Sequence, residues 1–232
     1  MTPKSTPRAF TRKLLAWYAR AARDLPWRRT RDPYAIVVSE FMLQQTQVSR
    51  VLEYFPRFLA RFPNIGSLAR SAPRAVREEW DGLGYYARAR NLHKLAREVV
   101  RRYDATLPDD VEQLVELPGV GRYTAGAVAC FAYEKPVPTV DTNVKRVVQR
   151  AFKPKDVWTT AAAIVPKNGK TAWKFNQALM ELGALVCVAR KPKCPECPVS
   201  GDCRTFSALR SPKAKPARRT HPPASRRPPV AS

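Results

Sequence analysis

Three observations predict an all-α protein. Apolar residues recur at three- and four-residue intervals along almost the whole chain. Those runs are punctuated by proline, glycine or aspartate, the residues that start and stop helices. No segment of useful length alternates apolar and polar residues with the period of two that a strand needs. The 232 residues suffice for one large domain or two small ones, each with a core of its own.

The first helix is expected where Phe10, Leu14, Trp17, Tyr18 and Ala21 repeat on one face. This segment is Arg-rich with no acid before Asp24, as organellar transit peptides are, but a packed helix accounts for it better. The next pattern, YAIVVSEFMLQQTQV, places Glu40 alone in an apolar run. On one continuous helix Glu40, Gln44 and Gln47 fall at i, i+4 and i+7 and share a polar face. Phe41, Val48, Leu52 and Phe55 then form an apolar stripe beside it. Helical spacing continues through LEYFPRFLARFPNIGSLARSA, PRAVREEWDGLGYYARARNLHKLAREVVRRY and DDVEQLVELPGVGRYTAGAVACFAYE, and then through DTNVKRVVQRAF and WKFNQALMELGALVCVAR.

Between the two patterns of the DDVEQLVELPGVGRYTAGAVACFAYE segment lies LPGVG. Gly119 and Gly121 permit positive φ and let backbone approach a ligand closely. The helix that follows starts with free N–H groups, a natural phosphate site. Many helix hairpins use such glycines only to turn; joined to Arg122 and the basic charge of the chain, they are expected to make a helix-hairpin-helix anchor that holds a DNA backbone without reading sequence. Asp141 precedes another helical run and is expected to cap it, with its pKa lowered by the helix start. Cys130, in AGAVACFAY, is expected to be a small buried hydrophobe. From residue 206, and most plainly from Ser211, the chain is rich in basic residues and proline and has no acid, which predicts a disordered basic tail.

The charge balance is 42 basic against 19 acidic residues, net +23, far beyond what solubility requires. It predicts a polyanionic partner, most simply nucleic acid. No run reaches the roughly 18 apolar residues of a membrane-spanning helix. Without an apolar signal core, the cytoplasm is the expected compartment. There, thiols stay reduced, so the four clustered cysteines predict a metal site, not disulfides. Cys187, Cys194, Cys197 and Cys203 are spaced C-x6-C-x2-C-x5-C, with Arg190, Lys191 and Lys193 between the first two. Zinc usually takes two C-x2-C pairs and only one is present, so an iron–sulfur cluster suits the set better, with zinc the other candidate.

The segments SEFMLQQTQV, GLGYYARARNLHK, LPGVGRYTAGAVA, VDTNVKRV and FNQALMELGA, followed by the four-cysteine loop, lie in that order between about Leu14 and Cys203. Together they closely resemble the A/G-specific adenine DNA glycosylases of the MutY type, in the helix-hairpin-helix superfamily that also contains endonuclease III. The resemblance implies two helical domains with the active cleft between them. A six-helix barrel module carrying the hairpin would span 29–134, and an iron–sulfur domain would be built from 8–28 plus 135–205, leaving 206–232 as the tail. It also implies a [4Fe–4S] cluster on the four cysteines. The partner would be mismatched double-stranded DNA, bound by a monomer in the bacterial cytoplasm, at the nucleoid.

The residue roles follow the same resemblance. Glu40, embedded among apolar residues, would stay protonated near neutral pH and act as general acid/base at adenine. Asp141 would stay ionised and stabilise or attack the sugar C1′, with Tyr123 and Asn143 supporting it. Gln44 would wedge into the base stack where the nucleotide flips out, and Tyr85 would insert beside the opposing base. Gly119, Gly121 and Arg122 would hold the DNA backbone, and Arg28 and Glu181 would surround the adenine pocket. Bifunctional relatives carry a Schiff-base lysine where this chain has Tyr123, so the enzyme would be monofunctional and leave an abasic site. The resemblance is incomplete at one end. MutY-type enzymes usually continue into a domain that recognises 8-oxoguanine, and only 29 residues follow Cys203 here. Adenine opposite plain G is therefore expected to be handled about as well as adenine opposite 8-oxoguanine. Tyr123 also fits the short thymine-specific T·G glycosylases of the superfamily, and a non-catalytic iron–sulfur lesion sensor would need no Glu40 with Asp141.

Overall fold

The computed structural model describes residues 7–210, among which every regular element is helical. Twelve α-helices follow in order: α1 (Pro7–Ala21), α2 (Pro33–Leu43), α3 (Val48–Arg61), α4 (Ile65–Arg70), α5 (Pro73–Glu79), α6 (Ala87–Tyr103), α7 (Val111–Val115), α8 (Arg122–Tyr133), α9 (Thr142–Phe152), α10 (Val157–Ile164), α11 (Gly169–Leu185) and α12 (Arg204–Arg210). None is long and apolar enough to cross a membrane. Several starts follow from side chains that satisfy orphan N–H groups. Asp32 accepts from Tyr34 and Ala35, with Pro33 in the first turn of α2. Asp110, Asp141, Asp156 and Asn168 cap α7, α9, α10 and α11 in the same way.

Two hydrophobic clusters divide the helices. The larger is built on α2–α8 and includes Phe41, Met42, Phe58, Trp80 and Leu92. α2 is its axis: Tyr34 to Met42 are all buried, which is why this run shows no polar stripe. The smaller cluster joins Phe10 and Leu14 of α1 to Val144 and Val148 of α9 and Phe175 and Leu179 of α11. Met180 of α11 packs against both.

Several expectations are corrected. The helix through Glu40 does not continue to Phe55. It stops at Leu43, Gln45 takes φ 55°, and α3 restarts at Val48. Gln44 and Gln47 therefore do not extend the Glu40 face, and Leu52 is exposed rather than part of a core stripe. The six helices expected between 29 and 134 are seven α-helical segments, because the Asn64 capping box and Pro73 start separate helices. Leu25 and Trp27 pack in the larger cluster, Trp27 edge-on to Phe55. α12 runs to Arg210 within the stretch expected to be disordered from 206, tied down where Thr205 donates to the Arg150 carbonyl at 2.7 Å. The rest of the basic tail lies outside the described residues.

Candidate active site

Glu40 from α2, Tyr123 from the first turn of α8, and Asp141 and Asn143 from the start of α9 line one cleft of about 690 Å³. Residues of both hydrophobic clusters form its walls. Glu40 is 5% exposed and its Oε2 has no hydrogen-bond partner. Burial pushes its pKa up to about 7; the Tyr123 hydrogen bond opposes the rise and the Asp141 charge adds to it. Burial and the two carboxylates in turn hold the Tyr123 phenol well above its ordinary pKa, so it serves as a donor. Tyr123 thus faces both carboxylates, through a hydrogen bond to Glu40 and through the charge of Asp141.

Asp141 does cap α9, accepting from Val144 N at 2.6 Å, and its other oxygen accepts from Asn143 Nδ2 at 3.0 Å. Its pKa is nonetheless raised, against expectation. Burial in the cleft outweighs those hydrogen bonds and the charge of Arg146. Arg146 fixes the Asn143 amide by donating to its Oδ1 at 2.6 Å, and it also donates to the carbonyls of Gly183 and Cys187, each at 2.7 Å. Gly183 lets α11 approach α9 closely, because a Cβ there would lie 2.6 Å from Asn143 Cβ.

Gln44 ends α2 at the rim of the cleft, and Tyr85 stands 62% exposed with φ 49°. Between them the buried Arg88 acts as a clamp. Its Nη1 lies 2.5–3.0 Å from the carbonyls of Phe41, Met42 and Gln44 and from Thr46 Oγ1. Its Nη2 donates to Leu83 O at 3.1 Å and Gly84 O at 2.9 Å. No carboxylate is needed, since the last carbonyls of α2 are the negative end of a helix dipole.

In the hairpin between α7 and α8, Gly119 takes φ 79°, and a Cβ there would meet Asn91 Cβ at 2.7 Å. Gly121 is corrected: its backbone is extended and it caps α8 with open space around it. Arg122 stacks on the Trp158 ring at 4.0 Å. Arg28 lines the cleft, whereas Glu181 is wholly buried behind it. Glu181 accepts from Arg28 Nη2 at 2.7 Å and from Arg23 Nε at 2.7 Å. Burial would raise its pKa, but these hydrogen bonds win and hold it below the ordinary value. Arg23, Arg88 and Arg146 carry no signal in the sequence, because Glu181, the carbonyls that end α2, and the Gly183 and Cys187 carbonyls that they tie down lie far along the chain.

Cys187, Cys194, Cys197 and Cys203 line a separate cavity of about 220 Å³. Arg150 of α9 holds its wall, donating to Val188 O at 2.8 Å and Ala189 O at 2.9 Å and lying 3.4 Å from Cys187 Sγ. Burial pushes the Cys197 thiol up to about 11, so its thiolate needs a cation to compensate. Four thiols around one cavity, spaced C-x6-C-x2-C-x5-C with a single C-x2-C pair, fit an iron–sulfur cluster better than zinc.

Residues 38–166 match the family described as HhH-GPD superfamily base excision DNA repair protein, and residues 187–203 match the iron-sulfur binding domain of endonuclease III. The chain is 48% identical over 205 residues to the adenine DNA glycosylase of Mycolicibacterium smegmatis, covering 84% of this chain and 69% of that protein. It spans less of other adenine DNA glycosylases that it matches, 64% of that of Mycobacterium tuberculosis and 39% of that of Homo sapiens. Its fold is similar to a thermostable thymine-DNA glycosylase, with a TM-score of 0.81 at 32% identity, covering 87% of this chain and 97% of that one. It is also similar to a trapped endonuclease III–DNA covalent intermediate, with a TM-score of 0.76 at 26% identity, covering 90% and 99%.

Proposed function

The chain belongs to the HhH-GPD superfamily of base excision DNA repair proteins and, within it, to the adenine DNA glycosylases, and from that premise we propose the reaction its cleft performs. The enzyme flips a mispaired adenine, opposite G or 8-oxoguanine, out of double-stranded DNA and hydrolyses its N-glycosidic bond. One observation carries the reading: a carboxyl held near pKa 7 shares a cleft with a second, hydrogen-bonded carboxylate.

Adenine leaves poorly unless it is protonated. Glu40, kept neutral by burial, delivers a proton to a ring nitrogen of the flipped base. The developing oxocarbenium charge at C1′ is met by Asp141, whose carboxylate is oriented by Val144 N and Asn143. Tyr123 offers no amine for a Schiff base, so water completes the reaction and an abasic site remains. Arg28, fixed by the buried Glu181, lines the base pocket. Gln44 wedges into the base stack where the nucleotide flips out, and Tyr85 inserts beside the opposing base. Gly119, Gly121 and Arg122 hold the backbone through the N-terminus of α8.

Cys187, Cys194, Cys197 and Cys203 hold the [4Fe–4S] cluster. Its contribution is structural order of the basic loop, since neither half of the reaction is a redox step. We take 29–134 as the module that carries Glu40 and the hairpin, and 8–28 with 135–205 as the module that carries Asp141 and the cluster. The protein works as a monomer at the nucleoid.

Thymine or uracil opposite G is the second reading, favoured by the similarity to the thymine-DNA glycosylase structure. Single-turnover base release separates the two on duplexes holding A·8-oxoguanine, A·G, A·C, T·G or U·G. Adenine release that Glu40→Gln abolishes is the expected result. Thymine or uracil release would move the chain to the other substrate, and binding without release would leave a lesion sensor.

A further inference from the structure

A basic groove of about 470 Å³ lies between α5 and the first half of α6, outside the catalytic cleft. It connects to that cleft by shared walls. Gln44 and Gln45 border both the cleft and a pocket beside Tyr85, and Tyr86 and Arg90 border both that pocket and the groove. A strand leaving the cleft past Tyr85 is therefore led into the groove.

The charges there are unbalanced. Arg74 pairs with Glu78 at 2.8 Å, and Arg77 stacks on the Tyr86 ring at 5.0 Å. Arg90, Lys94 and Arg97 line the groove at i, i+4 and i+7, and among the described residues none has an acidic partner. Like charges at this spacing repel, a cost that an anion relieves. His93 lines the same groove at 6% exposure, and its Nε2 is buried with no hydrogen-bond partner. A buried polar atom left unpaired costs stability unless a ligand meets it. From Arg90 to Arg97 the stripe runs about 10 Å along the helix. Successive phosphates of one strand rise roughly 3.4 Å each along the duplex axis and lie further apart along the strand itself, so the stripe reaches about two of them.

We propose that this groove is a second phosphate site, which takes the backbone of duplex DNA flanking the flipped nucleotide. Its stripe of Arg90, Lys94 and Arg97 grips successive phosphates, and the His93 imidazole donates to one of them. This rests on the glycosylase reading only in taking DNA as the ligand.

The test compares wild type with the surface variant Lys94→Gln/Arg97→Gln, and separately with His93→Gln. Affinity is measured on a long duplex of about three helical turns centred on the mismatch and on a short one that ends about two base pairs beyond the mismatch on the side of Tyr85. On the long duplex the double variant should bind roughly 10-fold or more weakly at ~0.1 M salt, and its salt slope should fall by about 2. On the short duplex it should match wild type, and His93→Gln should follow the same length dependence with a smaller loss. Equal weakening at both lengths, or none at either, overturns the proposal. Inorganic phosphate or dAMP titrated alone gives the other arm. Saturable groove binding of either, with long-duplex affinity unchanged in the variants, makes this a small-anion site and overturns the DNA assignment. Binding needs no turnover, so absent base release would sink the reading of the cleft without touching this result.

Discussion

Glu40→Gln is expected to stabilise the protein while abolishing excision, and the gain should depend on pH in a way the structure fixes. In the unfolded chain this carboxyl ionises near 4.5; in the fold, near 7. Below about 4.5 it is neutral in both states and carries no penalty. Between the two values the folded state keeps a proton the unfolded state has lost, so stability falls as pH rises. Above about 7 the whole penalty is present, about 3 kcal/mol at 1.36 kcal/mol per unit. Most of that, about 2–3 kcal/mol, develops between pH 5 and pH 8. Glutamine cannot ionise and escapes it. How well its amide fits the cleft is the same at both pH values and cancels in the comparison. The measurement is thermal or urea unfolding of both proteins at pH 5 and pH 8. The Tm advantage of the variant should grow by roughly 5–10 °C across that interval. An advantage that does not change with pH would mean Glu40 titrates as an ordinary carboxylate, and the acid role assigned to it would fall.

Base release by the wild type should fall about tenfold per pH unit above about 7, as Glu40 loses its proton. Tyr123→Phe removes a hydrogen bond that lowers this pKa, so the fall should move to higher pH; a downward move would contradict the assignment. Arg88→Met leaves several carbonyls without their donor and should cost several kcal/mol. It should also erase the fluorescence rise of 2-aminopurine placed beside the mismatch, and a rise that survives in folded variant would show the clamp does not position the probes. Glu181→Gln removes the negative charge and one of the two acceptor oxygens that hold Arg23 and Arg28, and should destabilise by about 3–5 kcal/mol in urea unfolding. Cys197→Ser should lose the brown visible absorbance of the cluster, and a brown variant would remove Cys197 from the ligand set.

Features set by neighbours in the chain were legible in the sequence. Asp141 reads as a cap because the residues after it are helical, and the cysteine cavity is foreshadowed by spacing alone. A single carboxylate in an apolar run correctly announces a buried Glu40. Features set by distant contacts were not legible. The break after Leu43 needs positive φ at Gln45, which no glycine or asparagine marks, and Arg88 holds it from more than 40 positions away. Asp141 was recognisable as a cap, but its burial depends on how α9 meets the cleft walls, so the direction of its pKa came out opposite. Arg23 and Glu181 are 158 positions apart and share no motif.

Glu40 is rooted in one hydrophobic cluster and Asp141 in the other, so the distance between proton donor and charge stabiliser belongs to neither core alone. Turnover then works as a gauge of how squarely one core sits on the other. Arg146 extends that gauge to the cysteine loop, since one guanidinium holds both the Cys187 carbonyl and the amide that orients Asp141. A disturbance of the metal loop should therefore register first as a slower reaction in a protein that is still folded, well before it registers as melting.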